Sequence, residues 1–505
     1  MTGFRRLAAD ILAELEALRA ADAPTHGGHV LSYVYDSGLP ELDELAARAA
    51  QLVQPVNGLD PTVFTSVAAM EAGVVGFARR VFHGDAEVVG SVTSGGTESC
   101  LLAVKTARDV WRAGGGQGVP RLVAPTTAHA AFHKAAHYFG LELDLVPVAP
   151  DTGRPEVDAV AERLDSRVAL VVVSAPSYPF ATLDPVAEIA ALTAPLGVAL
   201  HVDACIGGFA LAFWPDAASG ALPEWDFRVP GVTSFSADLH KYGYAPKGVS
   251  VLLTRDRDRQ RHQYFATTGW PGYPVVNPTM TGSKPAGPLA AAWAIIEALG
   301  EPGFTELTAR AARATAALLT VIERIDGLRV VGAPTGPLFA VATDYRVPPA
   351  RRVDPHHWAD AARAAGWHLQ LQPALTQADG TRLPHTTHLT VTPVTEAAVP
   401  ELSAALVAAA DAVRGLPPID GAALLAELAT ALPGGVDALA ATSAGLDADG
   451  AAAWLTAFGL LGAADTGGAL PDRLAPVLAL VAALPAQLTE RLLIELLARV
   501  VEPHD

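Results

Sequence analysis

The sequence predicts an α/β fold in which a mainly parallel sheet is flanked by helices. Several runs rich in β-branched residues are apolar on both faces, so we expect helices to cover the sheet on each side. Helical segments separate most of these runs, as parallel strands require. The runs span residues 88–92, 121–124, 143–148, 168–174, 198–202, 232–236 and 249–253. Ligands of such sheets bind beyond the carboxyl ends of the strands.

We predict four regions in chain order. Residues 1–60 hold an amphipathic helix and an aromatic active-site segment, and residues 61–300 form the large α/β domain. Short strands between helices at 301–414 predict a smaller α+β domain. Alanine- and leucine-rich helices at 415–505 predict a helical C-terminal extension, in which no chemical motif stands out.

Composition narrows the class of protein. Half of the 505 residues are hydrophobic and 17% are charged, which argues against disorder. A net charge of −18 argues against a nucleic-acid partner, which would need a basic face. Two cysteines are too few for a disulfide framework and fit a reducing cytoplasm. We also expect no membrane span, because the most apolar window is short.

Lysine usage indicates an amine with a special role. The chain has five lysines against thirty arginines, yet Lys241 and Lys247 lie in one loop between two predicted strands. A lysine kept where arginine is the default suggests chemistry that only an amine can do, such as Schiff-base formation. The alternative is a pair of solvated loop lysines.

A glycine-rich loop, Ser94-Gly95-Gly96-Thr97-Glu98-Ser99, follows the first predicted strand and opens a helix. Backbone amides at a helix N-terminus and hydroxyl donors favour a phosphate. A simple N-cap turn is the alternative. The loop matches neither the nucleoside triphosphate nor the dinucleotide pattern.

Two further residues follow predicted strands. Asp203 ends the strand 198–202 and could face a protonated ring nitrogen or only cap a helix. His129 could lie over a flat ring. With His133 and His137 it recurs every four residues, but no familiar zinc pattern is complete, so we predict no metal site.

These parts together predict pyridoxal 5′-phosphate as the cofactor. The cofactor needs a phosphate anchor, a partner for its pyridinium nitrogen, a ring stacker and an amine. The chain supplies all four at strand ends, as the Ser94 loop, Asp203, His129 and Lys241.

At this level of detail the chain resembles the sphingosine-1-phosphate lyases of the pyridoxal-phosphate-dependent group II decarboxylase family. The resemblance covers about residues 30–310. It rests on Thr93–Ser99, Ala128–Phe132, Ala135–Gly140, His201–Phe209 and Asp238–Gly248.

The resemblance implies a fold type I, PLP-dependent transferase-like architecture and a set of site residues. Lys241 would form the Schiff base, Asp203 would face the pyridine nitrogen and His129 would stack on the ring. The remaining cofactor contacts would be Gly95, Gly96, Thr97, Ser236 and His240. Substrate contacts or proton handlers would be Tyr35, Asn57, Tyr178 and Lys247.

The resemblance also implies a homodimer with active sites at the subunit interface, where the segment carrying Tyr35 could act in the partner's site. Two positions depart from the family. Asp60 stands where the lyases have a histidine, and Lys284 stands where the family usually has arginine. A carboxylate repels a substrate phosphate, and an ammonium lacks the bidentate fork of a guanidinium.

Three functions remain open at this stage. The preferred one is a carbon–carbon lyase that cleaves an amino-alcohol or hydroxy-amino substrate by a retro-aldol reaction. The second is an amino-acid decarboxylase, or another enzyme acting at the α-carbon of a small or carrier-bound substrate. The third is a non-catalytic pyridoxal phosphate protein whose C-terminal helices bind a partner.

Overall fold

The computed structural model describes residues 6–215, 220–429, 446–461 and 471–503. Three layers form its larger part, with one sheet between two sets of helices. The seven strands of this sheet are β1 Val89–Thr93, β2 Arg121–Pro125, β3 Glu142–Val146, β4 Val168–Ser174, β5 Ala199–Asp203, β6 Ser234–Ala237 and β7 Ser250–Thr254. Each coincides with a predicted run to within two residues at either end, and the predicted α/β class is confirmed.

The strand order is β1-β7-β6-β5-β4-β2-β3. β7 runs antiparallel to both of its neighbours, and the remaining pairs are parallel. Only a loop joins β6 to β7, without the helix that usually crosses between parallel strands. The carboxyl ends of β1, β2, β4, β5 and β6 therefore share one edge with the start of β7.

Helices cover both faces of the sheet, as the doubly apolar strands require. One face packs in the largest core cluster, around Phe77, Phe209 and Phe235, and the other packs around Cys100 and Phe132. The helices of this region are α1 Ala8–Arg19, α2 Pro40–Leu52, α3 Thr65–Val81, α4 Gly96–Ala113, α5 Ala130–Phe139, α6 Val157–Ala161, α7 Val186–Thr193, α8 Gly208–Leu211, α9 Arg257–Gln260 and α10 Gly287–Arg324. A hairpin of β8 Phe265–Thr267 and β9 Val275–Asn277 precedes α10.

The long helix α10 links the large and small domains. Its first half packs against α2 and α3, and its second half enters a separate core with Leu318 and Ile322. Gly300 interrupts the helix with a φ of 52°, a left-handed conformation that favours glycine.

The small domain is an antiparallel sheet covered by helices. Its four strands are ordered β10-β11-β15-β12, and a two-stranded ribbon pairs β13 with β14. The elements are β10 Leu328–Val330, β11 Leu338–Thr343, α11 Pro355–Ala364, β12 Gln370–Gln372, β13 Leu375–Thr376, β14 Arg382–Leu383, β15 Thr386–Thr390 and α12 Thr395–Val413. This is the α+β unit expected from the sequence.

The C-terminal extension is helical, as predicted, and has its own small core around Trp454 and Leu488. Its described helices are α13 Gly421–Ala429, α14 Ala448–Ala457, α15 Ala475–Ala483 and α16 Ala486–Val500. Asp360 of the small domain accepts hydrogen bonds from the backbone amides of Leu474 and Ala475, at 2.8 and 3.0 Å, and so caps α15 from another domain. The extension is therefore anchored to the small domain.

No helix in the four described ranges combines the length and the apolar character needed to cross a lipid bilayer.

Candidate active site

A cavity of about 710 Å³ lies at the carboxyl edge of the large sheet. Strand β12 of the small domain and the segment around Tyr35 close its other sides. The structure brings ten of the twelve predicted site residues together in its lining, namely Tyr35, Gly95, Gly96, Thr97, His129, Tyr178, Asp203, His240, Lys241 and Lys247. Ser236 and Asn57 are the two that do not line it.

The glycine-rich loop forms the turn between β1 and α4. Gly95 has a φ of 151°, and a side chain there would also meet the ring of His240 at 3.3 Å. A Cβ on Gly96 would fall 2.6 Å from Asp238 Oδ2, closer than real Cβ contacts come. The first backbone amides of α4 have no hydrogen-bond partner within the helix. Because neither glycine carries a side chain, these amides face the cavity.

Replacing Gly96 with alanine is expected to weaken pyridoxal phosphate binding at least tenfold, or about 1.4 kcal/mol. The added methyl group must displace a buried carboxylate, which carries an overpacking cost of about 1–3 kcal/mol. Titration of the cofactor-free protein with pyridoxal phosphate measures the effect. Gly282→Ala is the control, because a Cβ there meets nothing within 4 Å. Equal affinities for the two variants would show that Asp238 moves aside without cost.

Lys241 and His240 share one oxygen of Asp238. The Asp238 Oδ2 atom lies 3.1 Å from Lys241 Nζ and 3.4 Å from His240 Nε2. Burial alone would lower the pKa of Lys241, but Asp238 together with Tyr35, Cys205 and Asp203 outweighs it and raises that pKa above its ordinary value. For His240 burial dominates, and its pKa is lowered despite Asp238. The amine is therefore held as an ammonium beside a neutral imidazole.

Asp203 ends β5 and lines the cavity with 7% of its surface exposed. Its Oδ1 atom accepts a hydrogen bond from the backbone amide of Cys205 at 3.0 Å, which fixes the carboxylate. Behind it, His201 bonds the hydroxyls of Ser234 and Ser236 at 2.9 and 3.1 Å. Full burial lowers the pKa of His201 to about 4, so this histidine is neutral. The negatively charged carboxylate of Asp203 is thus fixed in place, with a neutral histidine behind it.

Ser236 is fully buried next to His201. Its hydroxyl bonds His201 and accepts a hydrogen bond from the Cys205 thiol at 3.2 Å. Because its partners His201 and Cys205 lie on either side of Asp203 in the chain, Ser236 orders the strand that carries Asp203.

His129 caps α5 from just beyond β2. Its Nδ1 atom accepts the Ala131 amide hydrogen at 3.1 Å, so this nitrogen carries no proton and the proton of the neutral ring resides on Nε2. The cap fixes the orientation of the ring at the cavity wall. Of the predicted roles for His129, a flat stacking surface fits this arrangement.

Tyr178, Tyr35 and Lys247 form the outer wall. The Tyr178 ring stacks on His388 with centroids 4.3 Å apart, and Lys247 Nζ lies 4.5 Å from the Tyr35 ring centroid. Burial raises the pKa of Tyr35 to about 12 and raises that of Tyr178 further, so both phenols stay protonated at neutral pH. Burial, assisted by the charge of Lys241, lowers the pKa of Lys247 to about 8. Tyr35 reaches the cavity of its own chain.

Asn57 lies in a separate surface cleft of about 310 Å³ with Lys284. Its side chain bonds Ser283 Oγ at 3.1 Å and accepts from the Lys284 amide at 3.3 Å. The carboxylate of Asp60 caps its own turn by accepting from Thr62. Neither family departure, Asp60 or Lys284, faces the cavity of its own chain.

Sequence reasoning missed several lining residues. For Asp238 the sequence did hold a signal, because it lies three positions before Lys241 and a tight turn brings residues at that spacing into contact. Cys205 and Cys100 carried no pattern, and neither did Gln370 and Gln372 of β12, which come from another domain.

The residues present fit pyridoxal phosphate. The Nδ1 atom of His240 and the Oδ1 atom of Asp238 are buried without a hydrogen-bond partner, on the cavity side of the glycine-rich loop. The two glycines leave space for an anion that any side chain would fill. A buried amine, a buried carboxylate and an oriented imidazole share the same cavity with this cradle.

Comparison with protein families gives two matches. Residues 59–331 match the pyridoxal-dependent decarboxylase conserved domain. Residues 422–499 match a C-terminal putative HTH domain of pyridoxal-dependent enzymes, a region where the sequence showed no chemical motif.

Individual proteins agree with the first match. Sphingosine-1-phosphate lyase 1 of Rattus norvegicus is 36% identical over 362 residues, which cover 72% of this chain and 62% of that protein. The solved sphingosine-1-phosphate lyase of Burkholderia pseudomallei superposes with a TM-score of 0.74 at 32% identity, covering 82% of this chain and 93% of that one. The glutamate decarboxylase of Lactobacillus brevis, at 20% identity, shares the fold with a TM-score of 0.71 over 83% of this chain and 96% of its own.

Proposed function

The chain belongs to the pyridoxal-dependent decarboxylase family, and on that premise we propose that it is a carbon–carbon lyase of the sphingosine-1-phosphate lyase type. Its substrate would be an amino alcohol or hydroxy-amino compound with an anionic end group, and pyridoxal 5′-phosphate its cofactor. The observation that carries the proposal is the joint presence of Lys241, Asp203 and a second cation, Lys247, in one cavity.

The cofactor, when bound, supplies a ring that withdraws electrons from the substrate carbon bearing the amine. Lys241 is the amine that would hold its aldehyde carbon, because it is the lysine of the cavity that Asp238 fixes beside the glycine-rich loop. Asp203 would keep a positive charge on the ring nitrogen through its fixed carboxylate. His129 would hold the ring flat, and the amides of Gly96 and Thr97 would receive the phosphate.

The residues of the outer wall would bind the rest of the substrate. With their raised pKa values, Tyr35 and Tyr178 act as hydrogen-bond and proton donors rather than as bases. Lys247, when protonated, would attract the anionic end group. Gln370 and Gln372 line the same cavity and offer neutral amides to the polar part of the substrate.

The homodimer and the cytoplasmic location are part of the proposal. A second copy would bring other residues to the mouth of the cavity, where Tyr33 is 69% exposed. The N-terminal helix α1 has no buried residue and exposes Leu12, Leu15 and Leu18, which leaves an apolar surface for that copy to cover. The two cysteines of the chain are free and buried, which fits a reducing compartment.

Product analysis tests the reaction. The protein is incubated with sphingosine 1-phosphate or with a short phosphorylated amino alcohol, and an aldehyde is expected together with a phosphorylated amine. Carbon dioxide released from amino acids, with no aldehyde from either amino alcohol, would contradict a lyase and favour a decarboxylase.

The affinity for an anionic substrate is expected to fall as the pH rises through about 8. The Lys247 amine carries its charge below its pKa of about 8, so attraction is complete below that pH. It then weakens by up to about tenfold for each further pH unit. The pH dependence of KM with a substrate that titrates elsewhere measures this, and Lys247→Arg, whose guanidinium stays charged, should flatten it. A KM that rises through pH 8 in both proteins would assign the titration to another group.

A further inference from the structure

The two cysteines of the chain lie together at the wall of the active-site cavity. Cys100 is in the first turns of α4 and Cys205 follows β5, and both belong to the lining. They are 1% and 8% exposed. The fold therefore places the complete thiol content of this protein beside Asp203.

The three side chains form a compact set of ligand atoms. The two sulfurs and a carboxylate oxygen of Asp203 all lie within 4.8 Å of one another, the only such cluster of histidine, cysteine and acidic residues in the described ranges. The Asp203 Oδ1 atom already accepts the Cys205 amide, while its Oδ2 atom accepts no hydrogen bond from a described residue. One carboxylate oxygen is thus available beside two thiols.

These donors suit a soft or borderline divalent cation such as zinc. Zinc binds thiolate sulfur at about 2.3 Å and carboxylate oxygen at about 2.0–2.2 Å in a tetrahedron. Two sulfurs on such a tetrahedron are about 3.8 Å apart, which the observed spacing allows. The cavity side leaves the fourth position open to water.

The surrounding charges permit a cation. Asp238, 2% exposed, adds a second buried carboxylate nearby and neutralises the Lys241 ammonium at 3.1 Å. The neighbouring imidazole of His201 is neutral and has both nitrogens bonded to serine hydroxyls, so it neither repels nor binds the ion. The Lys241 ammonium is therefore paired with Asp238, while the amine of Lys247 lies in the same cavity.

We propose that, in the cofactor-free protein, Cys100, Cys205 and Asp203 bind one zinc-type divalent cation, and that this cation and pyridoxal phosphate exclude each other. The exclusion rests on the proposed function, because the same Asp203 carboxylate would face the cofactor ring. The cation site itself rests only on the three side chains.

Binding must release protons. For Cys205, the contact with Cys100, burial and the charge of Asp203 raise the pKa well above its ordinary value. For Cys100, the contact with Cys205 lowers the pKa, but burial and Asp203 outweigh it, so that this pKa is raised as well. Both thiols are protonated at neutral pH, so each bound cation displaces up to two protons and the affinity increases with pH.

The test uses the full-length chain after removal of bound pyridoxal phosphate. Zinc is titrated by calorimetry, and cadmium is followed by its ultraviolet thiolate charge-transfer absorption. We expect one equivalent to bind, with an affinity at least about 100-fold lower in Cys100→Ser and in Cys205→Ser. His133→Ala is the matched control for binding to the imidazoles of α5 and should bind as the wild type does. Circular dichroism and melting temperature establish that each variant is folded.

Absence of a stoichiometric complex, or binding as tight in both cysteine variants as in the wild type, would overturn the cation site, whatever the cofactor does. Preloading with pyridoxal phosphate is expected to weaken the affinity for zinc at least about tenfold. Cysteine-dependent binding that the cofactor leaves unchanged would instead overturn the exclusion, and with it the placement of the cofactor ring against Asp203. A chain that takes up cofactor normally but binds no cation would overturn the cation site alone.

Discussion

Replacing Lys241 with alanine is expected to abolish the visible absorption band of covalently held pyridoxal phosphate and to reduce turnover by about 10³-fold or more. Lys241 is the amine whose ammonium is held 3.1 Å from Asp238 at the base of the cavity. Without it, the cofactor keeps its phosphate and ring contacts but has no covalent anchor. Absorption spectra and rates measured with saturating cofactor test both effects.

Lys247→Ala is the matched control, because this variant removes the other lysine of the same loop. It should retain the visible band and lose mainly affinity for an anionic substrate, since Lys247 Nζ contacts His240 O at 3.1 Å and the Tyr35 ring. A band that survives in Lys241→Ala but disappears in Lys247→Ala would exchange the roles of the two amines.

The second large effect is expected for Asp203→Asn, which keeps the shape of the side chain and removes its charge. Turnover should fall by about 10²- to 10³-fold, the scale on which loss of one aligned electrostatic group acts. The cofactor should still bind, because Lys241 and the glycine-rich loop are untouched. Comparison of the cofactor dissociation constant with turnover separates the two effects.

Asp184→Asn is the control for losing a buried carboxyl group at the same sheet edge. Asp184 is 2% exposed and bonds the amide of Ser174, the residue that pairs with Asp203 across β4 and β5. Burial raises the pKa of Asp184 to about 7, so much of its charge is already absent near neutrality. Its variant should stay within tenfold of wild-type turnover. Equal losses in both variants would mean that Asp203 acts through the stability of the sheet.

The sheet could be predicted from the sequence because each strand is apolar on both faces. Such runs stand out between helices, and β4 Val168–Ser174 was located to the residue. The direction of β7 could not be read from its composition, because it depends on how the loop after β6 folds back. The tail was recognised as helical, but its anchoring through Asp360 depends on a contact between domains that no local pattern encodes.

The residues of the candidate site also fall into those that the sequence predicts and those that it does not. Residues directly after strands, such as His129 and Asp203, were predictable because the carboxyl ends of parallel strands meet at one edge. Ser236 was placed in the cofactor site by resemblance, whereas it does not line the cavity and its hydroxyl bonds His201 and Cys205. Asp238 was missed because its role appears only when one of its oxygens meets both Lys241 and His240.

The position of β1 in the sheet has a consequence for synthesis of the protein. Among the described strands its only partner in the sheet is β7, so a stretch of about 160 residues must emerge from the ribosome before β1 can pair. Closing so long a loop is slow and delays this part of the fold. The phosphate cradle after Thr93 is therefore assembled late, and a nascent chain or fragment ending before Ser250 lacks the strand that orders it. Cofactor capture belongs to the completed large domain and not to its first half.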